Sequence, residues 1–267
     1  ETISPKTLNV TLEAISSLCK WCVREGFIER NLAENLGVKD ARNPVHLKKA
    51  YTADDLRLIF QHPKFSQGKF KHPSYFWAPL ISLFTGMRRE EIAQLYCSDV
   101  YKTEEEKIWV FDVNSFRERD GDKEKKIKSE NGCRKIPVHF QLVELGLLDY
   151  LSSVKSFGER RLFPELTATA KKGKLGAQIG KQFCGVVDAS ISNSEKKDFH
   201  SLRHTFADFY KQRGLQNDFF VYLFGHRQEK LSARQYGSEY SPKVLYDEII
   251  SKLDYGLDLN GLKGKFV

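Results

Sequence analysis

Between Pro5 and Glu25, Leu12, Ile15 and Leu18 recur at helical spacing and predict an amphipathic helix over 5–25, which Gly26 and Phe27 end. A short turn or helix follows from Asn31 to Leu36. Residues 37–50 (GVKDARNPVHLKKA) are polar and basic, contain a proline and lack an apolar period, so they read as an interdomain linker. Thr52-Ala-Asp-Asp55 has the form of a capping box and opens a helix through Phe60. From Phe76 to Met87 the chain is strongly apolar, a helix that Thr85-Gly86 stops. A further helix begins near Arg88 and carries Ile92 and Leu95. Ile108–Val113 predicts a strand, and 114–126 a charge-rich insert with a turn at Asp120-Gly121. Lys126–Ser129 and Arg134–Val138 predict a hairpin around Asn131-Gly132. Helices are expected at 140–156, 177–189, 201–213, 216–224 and 242–253, before a less regular tail. The fold class is mainly α with a small antiparallel β-sheet (α+β). The expected domains are 1–36, the end of a small helical domain; 37–50, a linker; and 51–267, the main domain.

Composition narrows the partner. The 267 residues carry a formal net charge of +8, which suggests a polyanion, nucleic acid before anionic membrane. With 40% hydrophobic residues, including 19 Phe, a sizeable core is available. No run of 18 apolar residues exists, so no membrane span is expected. The chain opens without a signal peptide or an initiator Met, and reads as a fragment of a cytoplasmic protein. Five scattered cysteines do not form a disulfide framework. Cys19-Lys-Trp-Cys22 has no second pair to complete a zinc site, and its cysteines fall in the apolar helical pattern, so packing is the expected role.

Three short stretches carry candidate chemistry. In Thr85-Gly-Met-Arg88-Arg-Glu-Glu91, Arg88 opens a helix against the dipole and Glu91, three residues on, can reach back to it. A guanidinium so held suits two phosphate oxygens. The same pattern also describes an ordinary surface ion pair. In His200-Ser-Leu-Arg203, positions three apart share a helix face and can meet one anion together. His204 extends this to HxxxH, but Ser201 stands where a zinc peptidase has its Glu, so a metal is not expected and His204 reads as structural. Leu223-Phe-Gly-His226 and Tyr236 in Arg234-Gln-Tyr-Gly237 are weak signals individually.

Together TGMRREEI, IKSENGCRKIP, HSLRHTF, LFGH and SARQYG resemble the tyrosine recombinase (phage integrase) family, in family order over roughly residues 52–253. ISSLCKWCVREGFIERNLAENL is similar to the end of that family's core-binding domain. The resemblance implies a catalytic domain of that fold and a site-specific DNA recombinase. It makes Arg88, Lys128, His200, Arg203, His226 and Tyr236 catalytic and Glu91 their support. Lys128 lies nine residues before Pro137; Lys126 and Lys135 compete with it because the 114–126 insert is longer than usual, and Arg89 competes with Arg88. It further implies a 3′-phosphotyrosine intermediate, no cofactor, double-stranded DNA as partner, a tetramer on the DNA synapse with a monomer free in solution, and a nucleoid-associated location. A DNA-relaxing topoisomerase and a catalytically inactive DNA-binding relative are the alternatives, and a hydrolase using His200 and His204 with a metal is disfavoured by the missing carboxylates.

Overall fold

The computed structural model describes residues 3–39, 49–116, 125, 132–170, 173–192, 197–225 and 239–267. The chain divides into two compact units, Glu1–Leu47 and Lys48–Val267. The division falls inside the polar stretch expected as a linker.

The first unit is built on α1 (Pro5–Arg24), which Ser4 caps by accepting from the Thr7 N–H. Asn9 exchanges two side-chain hydrogen bonds of 2.8 Å with the backbone of Val38 and so returns the chain to the helix. α1 buries no residue, and Ile15, Leu18 and Trp21 are each more than two-fifths exposed. Cys19 and Cys22 are free and half-buried, so the expected core packing is incomplete in this unit. A segment this short has too little apolar surface to enclose a core of its own.

In the second unit, the capping box expected at Thr52 and Asp55 starts α2 (Ala53–Gln61), with both reciprocal bonds formed. α3 (Pro63–Ser66) follows. α4 (Pro73–Thr85) is apolar on nearly every side and buried along almost its whole length, as a helix hydrophobic all round must be. It forms the centre of the core and packs against α5 (Arg89–Ala93), α8 (Ala177–Ser190) and α9 (Phe199–Gln212). The sheet has order β1-β2-β3, all antiparallel: β1 (Val100–Lys102), β2 (Trp109–Val113) and β3 (Arg134–Pro137). Val100 faces Phe111, and Phe111 in turn faces Ile136, which keeps one apolar file on the buried face. β1 was not expected from the sequence. β3 pairs with β2 on its described side; residues 126–129, expected as its hairpin partner, lie outside the described residues.

Instead of one helix over 140–156 there are two, α6 (Phe140–Glu144) and α7 (Leu147–Ser156). Gly146 between them has φ +102°, which ends the first and lets the second turn away. α10 (Asp218–Leu223) and α11 (Pro242–Glu248) complete the α-helices among the described residues. Beyond α11 the tail packs in cis onto the core: Leu253, Leu259 and Leu262 are buried. Two tyrosines fasten it, buried Tyr210 donating to the Ile249 carbonyl at 2.9 Å and the tail's own Tyr255 donating to the Leu83 carbonyl of α4 at 3.0 Å. His139, stacked on Phe84, lies 2.9 Å from the Leu253 carbonyl, and burial pushes its imidazole down to about 4.

Candidate active site

The stretch Thr85–Glu91 is a turn built by its own side chains. Gly86 takes a left-handed conformation (φ +67°) as the C-cap of α4. Ser82 donates to the Met87 carbonyl at 3.0 Å, and Thr85 accepts from the Met87 N–H at 3.2 Å. This delivers Arg88 to the N-cap of α5. Glu91 then reaches back, accepting from the Arg88 backbone N–H at 2.9 Å and from Arg88 Nη1 at 2.6 Å. The next two residues turn elsewhere. Arg89 lies across Gly180 of α8, too close for any Cβ there, and Glu90 accepts from the Leu175 and Gly176 N–H groups at 2.7 and 3.1 Å at the start of α8. Arg88, not Arg89, therefore shares Glu91.

α9 begins two residues earlier than expected because Asp198 caps it. Asp198 accepts from the His200 and Ser201 N–H groups, and Ser201 accepts in return from the Asp198 N–H at 3.1 Å. The Asp-x-x-Ser spacing was the signal for this. The cap leaves His200 exposed in the first turn, its ring edge-on to His204 at 4.9 Å. Leu202 and Phe206 enter the core. Arg203 sits on the same side as His200 but at 2% exposure. Its Nη1 donates to the Gly86 carbonyl and its Nη2 to the Phe224 carbonyl, with the guanidinium 3.5 Å from the Phe224 ring centroid. Arg203 thus ties the turn before Arg88 to the turn that leads to His226.

A second arginine, one the sequence reading left without a role, makes a parallel tie. Arg134, at the start of β3, has a fully buried side chain. Its Nη2 donates to Glu91 Oε2 at 2.9 Å, its Nε to the Leu223 carbonyl at 2.7 Å and its Nη1 to the Gly132 carbonyl at 2.7 Å. Gly225, at φ +63°, lies so close that a Cβ would stand 3.0 Å from Arg134 Nη1. One carboxylate, Glu91, therefore serves two guanidinium groups. Burial pushes its carboxyl up, but the charges and hydrogen bonds of Arg134 and then Arg88 prevail and hold it at about 2. Burial first, and then the nearby Arg88 charge, bring Arg203 down to about 9, which leaves it a cation at neutral pH. The bond from Arg203 to the Gly86 carbonyl, two residues before Arg88, brings the charges of two distant stretches into one region.

Lys125 was also missed. Its ammonium lies 2.5 Å from Asp99 Oδ2 and 2.9 Å from Asn114 Oδ1, above the Tyr96 ring at 4.7 Å. Nothing in a charge-rich insert marks one lysine as buried. Lys135, a competitor for the catalytic lysine, is on β3, 3.5 Å from Glu239. Lys126, Lys128, His226 and Tyr236 lie outside the described residues. Downstream of Tyr236, Ser241 donates to Glu106 and the Lys243 N–H donates to Glu106 Oε2 at 2.8 Å. The Tyr240 ring packs on Phe219 and Tyr222 at 4.9 and 5.3 Å. Among the described residues no group of three or more His, Cys, Asp or Glu could hold a metal ion, and no helix is long and apolar enough to cross a membrane.

The Tn1549 transposon integrase in complex with transposon right end DNA superposes with a TM-score of 0.60 at 18% identity, over 93% of this chain and 81% of that one. A phage lambda integrase dimer bound to a core site gives 0.56 at 16% identity, over 89% and 76%. The integrase of mycobacterium phage Brujita gives 0.50 at 16%, over 98% and 78%. These likenesses establish the fold. A comparison with curated protein sequences returned no match. The model of the phage integrase family, however, matches residues 50–240, which span the Arg88 turn, the His200–Arg203 helix and Tyr236, and the chain belongs to that family.

Proposed function

We propose that this protein is a site-specific DNA recombinase that cleaves and rejoins DNA strands through a 3′-phosphotyrosine intermediate without a cofactor. The observation that carries this reading is that Arg203 donates to the Gly86 carbonyl, two residues before the Glu91-paired Arg88, so that two arginines from separate stretches meet at one turn. A phosphodiester repels nucleophiles, and its transition state spreads negative charge over the non-bridging oxygens. Two preorganised cations stabilise that charge, and loss of one such donor costs on the order of 3 kcal/mol of barrier.

Arg88 is the cation nearer the surface, its side chain 21% exposed. Arg203, fixed by two carbonyls, supplies the second charge from a less polar setting. Exposed His200 accepts the proton of the Tyr236 hydroxyl as it attacks phosphorus, and the leaving 5′-oxygen takes a proton from Lys128. His226 donates to a non-bridging oxygen. The phosphotyrosine ester conserves the energy of the bond broken, so attack by a 5′-hydroxyl reseals the strand with no external energy source. Residues 1–36 form the end of a core-binding domain, the linker lets the two domains close on a duplex, and four protomers assemble on paired sites.

The test is covalent capture. The protein is incubated in EDTA with a library of nicked duplexes of randomised core sequence, and adducts are resolved on a denaturing gel. The expected result is an adduct that Tyr236→Phe abolishes, with the captured sequences defining the site. Cleavage that needs a metal, or an adduct that persists in Tyr236→Phe, would overturn the assignment.

A further inference from the structure

Glu91 poses an electrostatic problem. Paired with Arg88 alone it would cancel the charge of the very group proposed to meet the phosphate. Arg88, Arg203 and Glu91 together would carry a net charge of +1. The fully buried Arg134 raises this to +2, and it does so from behind the carboxylate, on Oε2, while Arg88 Nη1 takes Oε1. Arg134 Nη1 also lies 3.5 Å from Oε1, and Oε2 accepts as well from the Arg88 backbone N–H, so both oxygens are occupied.

We propose that Arg134 is a positioning residue of the strand-transfer reaction, which neutralises Glu91 so that Arg88 keeps its charge for the phosphate. The inference rests on the function proposed above. Three features support it. The Arg134 side chain is 0% exposed, so it does not serve as a surface phosphate contact, the role its setting in a basic hairpin would suggest. Its Nε and Nη1 are committed to the Leu223 and Gly132 carbonyls, which fixes the fork against Glu91. Gly225 leaves room for the guanidinium where any Cβ would press on it. In sequence Arg134 is six residues beyond Lys128, and Leu223 three before His226, so the same side chain joins the two segments that carry those groups to the Arg88 turn.

Charge balance makes a prediction that a packing role does not. In Arg134→Met the site carries one positive charge fewer, and adduct formation with a captured duplex should slow about 100-fold, the scale of losing one transition-state cation. Adding Glu91→Gln restores the net charge of +2 with the Arg134 guanidinium still absent. The double variant Arg134→Met/Glu91→Gln should therefore recover at least about tenfold over the single variant, a coupling of the size seen between groups in contact. Circular dichroism and thermal melting confirm folding of each protein. If Arg134→Met does not fold, recovery of both fold and adduct in the double variant still supports the proposal. A double variant that is folded and no faster than Arg134→Met overturns it, as does one that does not fold, because Arg134 then acts only in building the domain. An Arg134→Met protein as fast as wild type also overturns it. Absence of adduct from the wild type refutes the recombinase reading itself, a separate outcome.

Discussion

Gly86→Ala tests the joint between the core and the site. Gly86 has φ +67°, a conformation that costs an L-residue about 1–2 kcal/mol. An added Cβ would also stand 2.7 Å from Cδ1 of Phe206, a ring that is 0% exposed and flanked by Tyr210, Phe220 and Phe224. The ring has no free volume to enter, and such overpacking costs about 1–3 kcal/mol. The sum, about 2–5 kcal/mol, corresponds to a fall in melting temperature of roughly 5–15 °C for a domain of this size. Gly158 supplies the control: its φ is +74° but nothing lies within 4 Å of the added Cβ, so Gly158→Ala carries the backbone term alone. Thermal melts of both variants, with urea midpoints as a second measure, isolate the Phe206 contribution as their difference. Because the Gly86 carbonyl accepts from Arg203, Gly86→Ala should also slow adduct formation at temperatures where it remains folded. Equal melting shifts for the two variants would refute the reasoning, since the contact with Phe206 would then contribute nothing.

Two further perturbations address buried charges. The Glu91 carboxyl, held at about 2 against an ordinary 4.5, contributes stability that is fully present above about pH 4.5 and lost as pH falls toward 2, on the order of 3 kcal/mol in all; urea midpoints at pH 6, 4 and 3 should show this loss and Glu91→Gln should flatten it. Lys125→Met leaves Asp99 and its neighbour Asn114 without the ammonium they share, and should cost about 3 kcal/mol by urea unfolding, with most of it recovered in Lys125→Met/Asp99→Asn.

What the sequence reveals follows from how local each cause is. The capping box at Thr52, the stop at Gly86 and the helix carrying His200 and Arg203 are set by residues within one turn, and all are legible. The break at Gly146 is not, because a glycine inside an apolar helical pattern is compatible with continuation until the turn's φ is known. β1 is three residues long, too short for alternation to register. Within the candidate site, the pairing of Arg88 with Glu91 follows from their spacing. The partnership of Glu91 with Arg134 spans 43 residues and depends on where the sheet meets α5, which no spacing encodes. Lys125 and Arg134 are both basic residues in a basic segment, and their burial has no counterpart in the sequence pattern.

The stretch from 226 to 238 is joined to fixed points at both ends. Upstream, Arg134 and Arg203 hold the Leu223 and Phe224 carbonyls; downstream, Glu106 holds Ser241 and Lys243, and the tail beyond is bonded into the core. For an enzyme whose proposed nucleophile lies in that stretch, double attachment governs the fate of the intermediate more than the attack. Once tyrosine and DNA are one molecule, a strand end on a single free arm would wander. Fixed points on both sides limit how far a strand end joined to that stretch can travel from the cations proposed to catalyse its reversal.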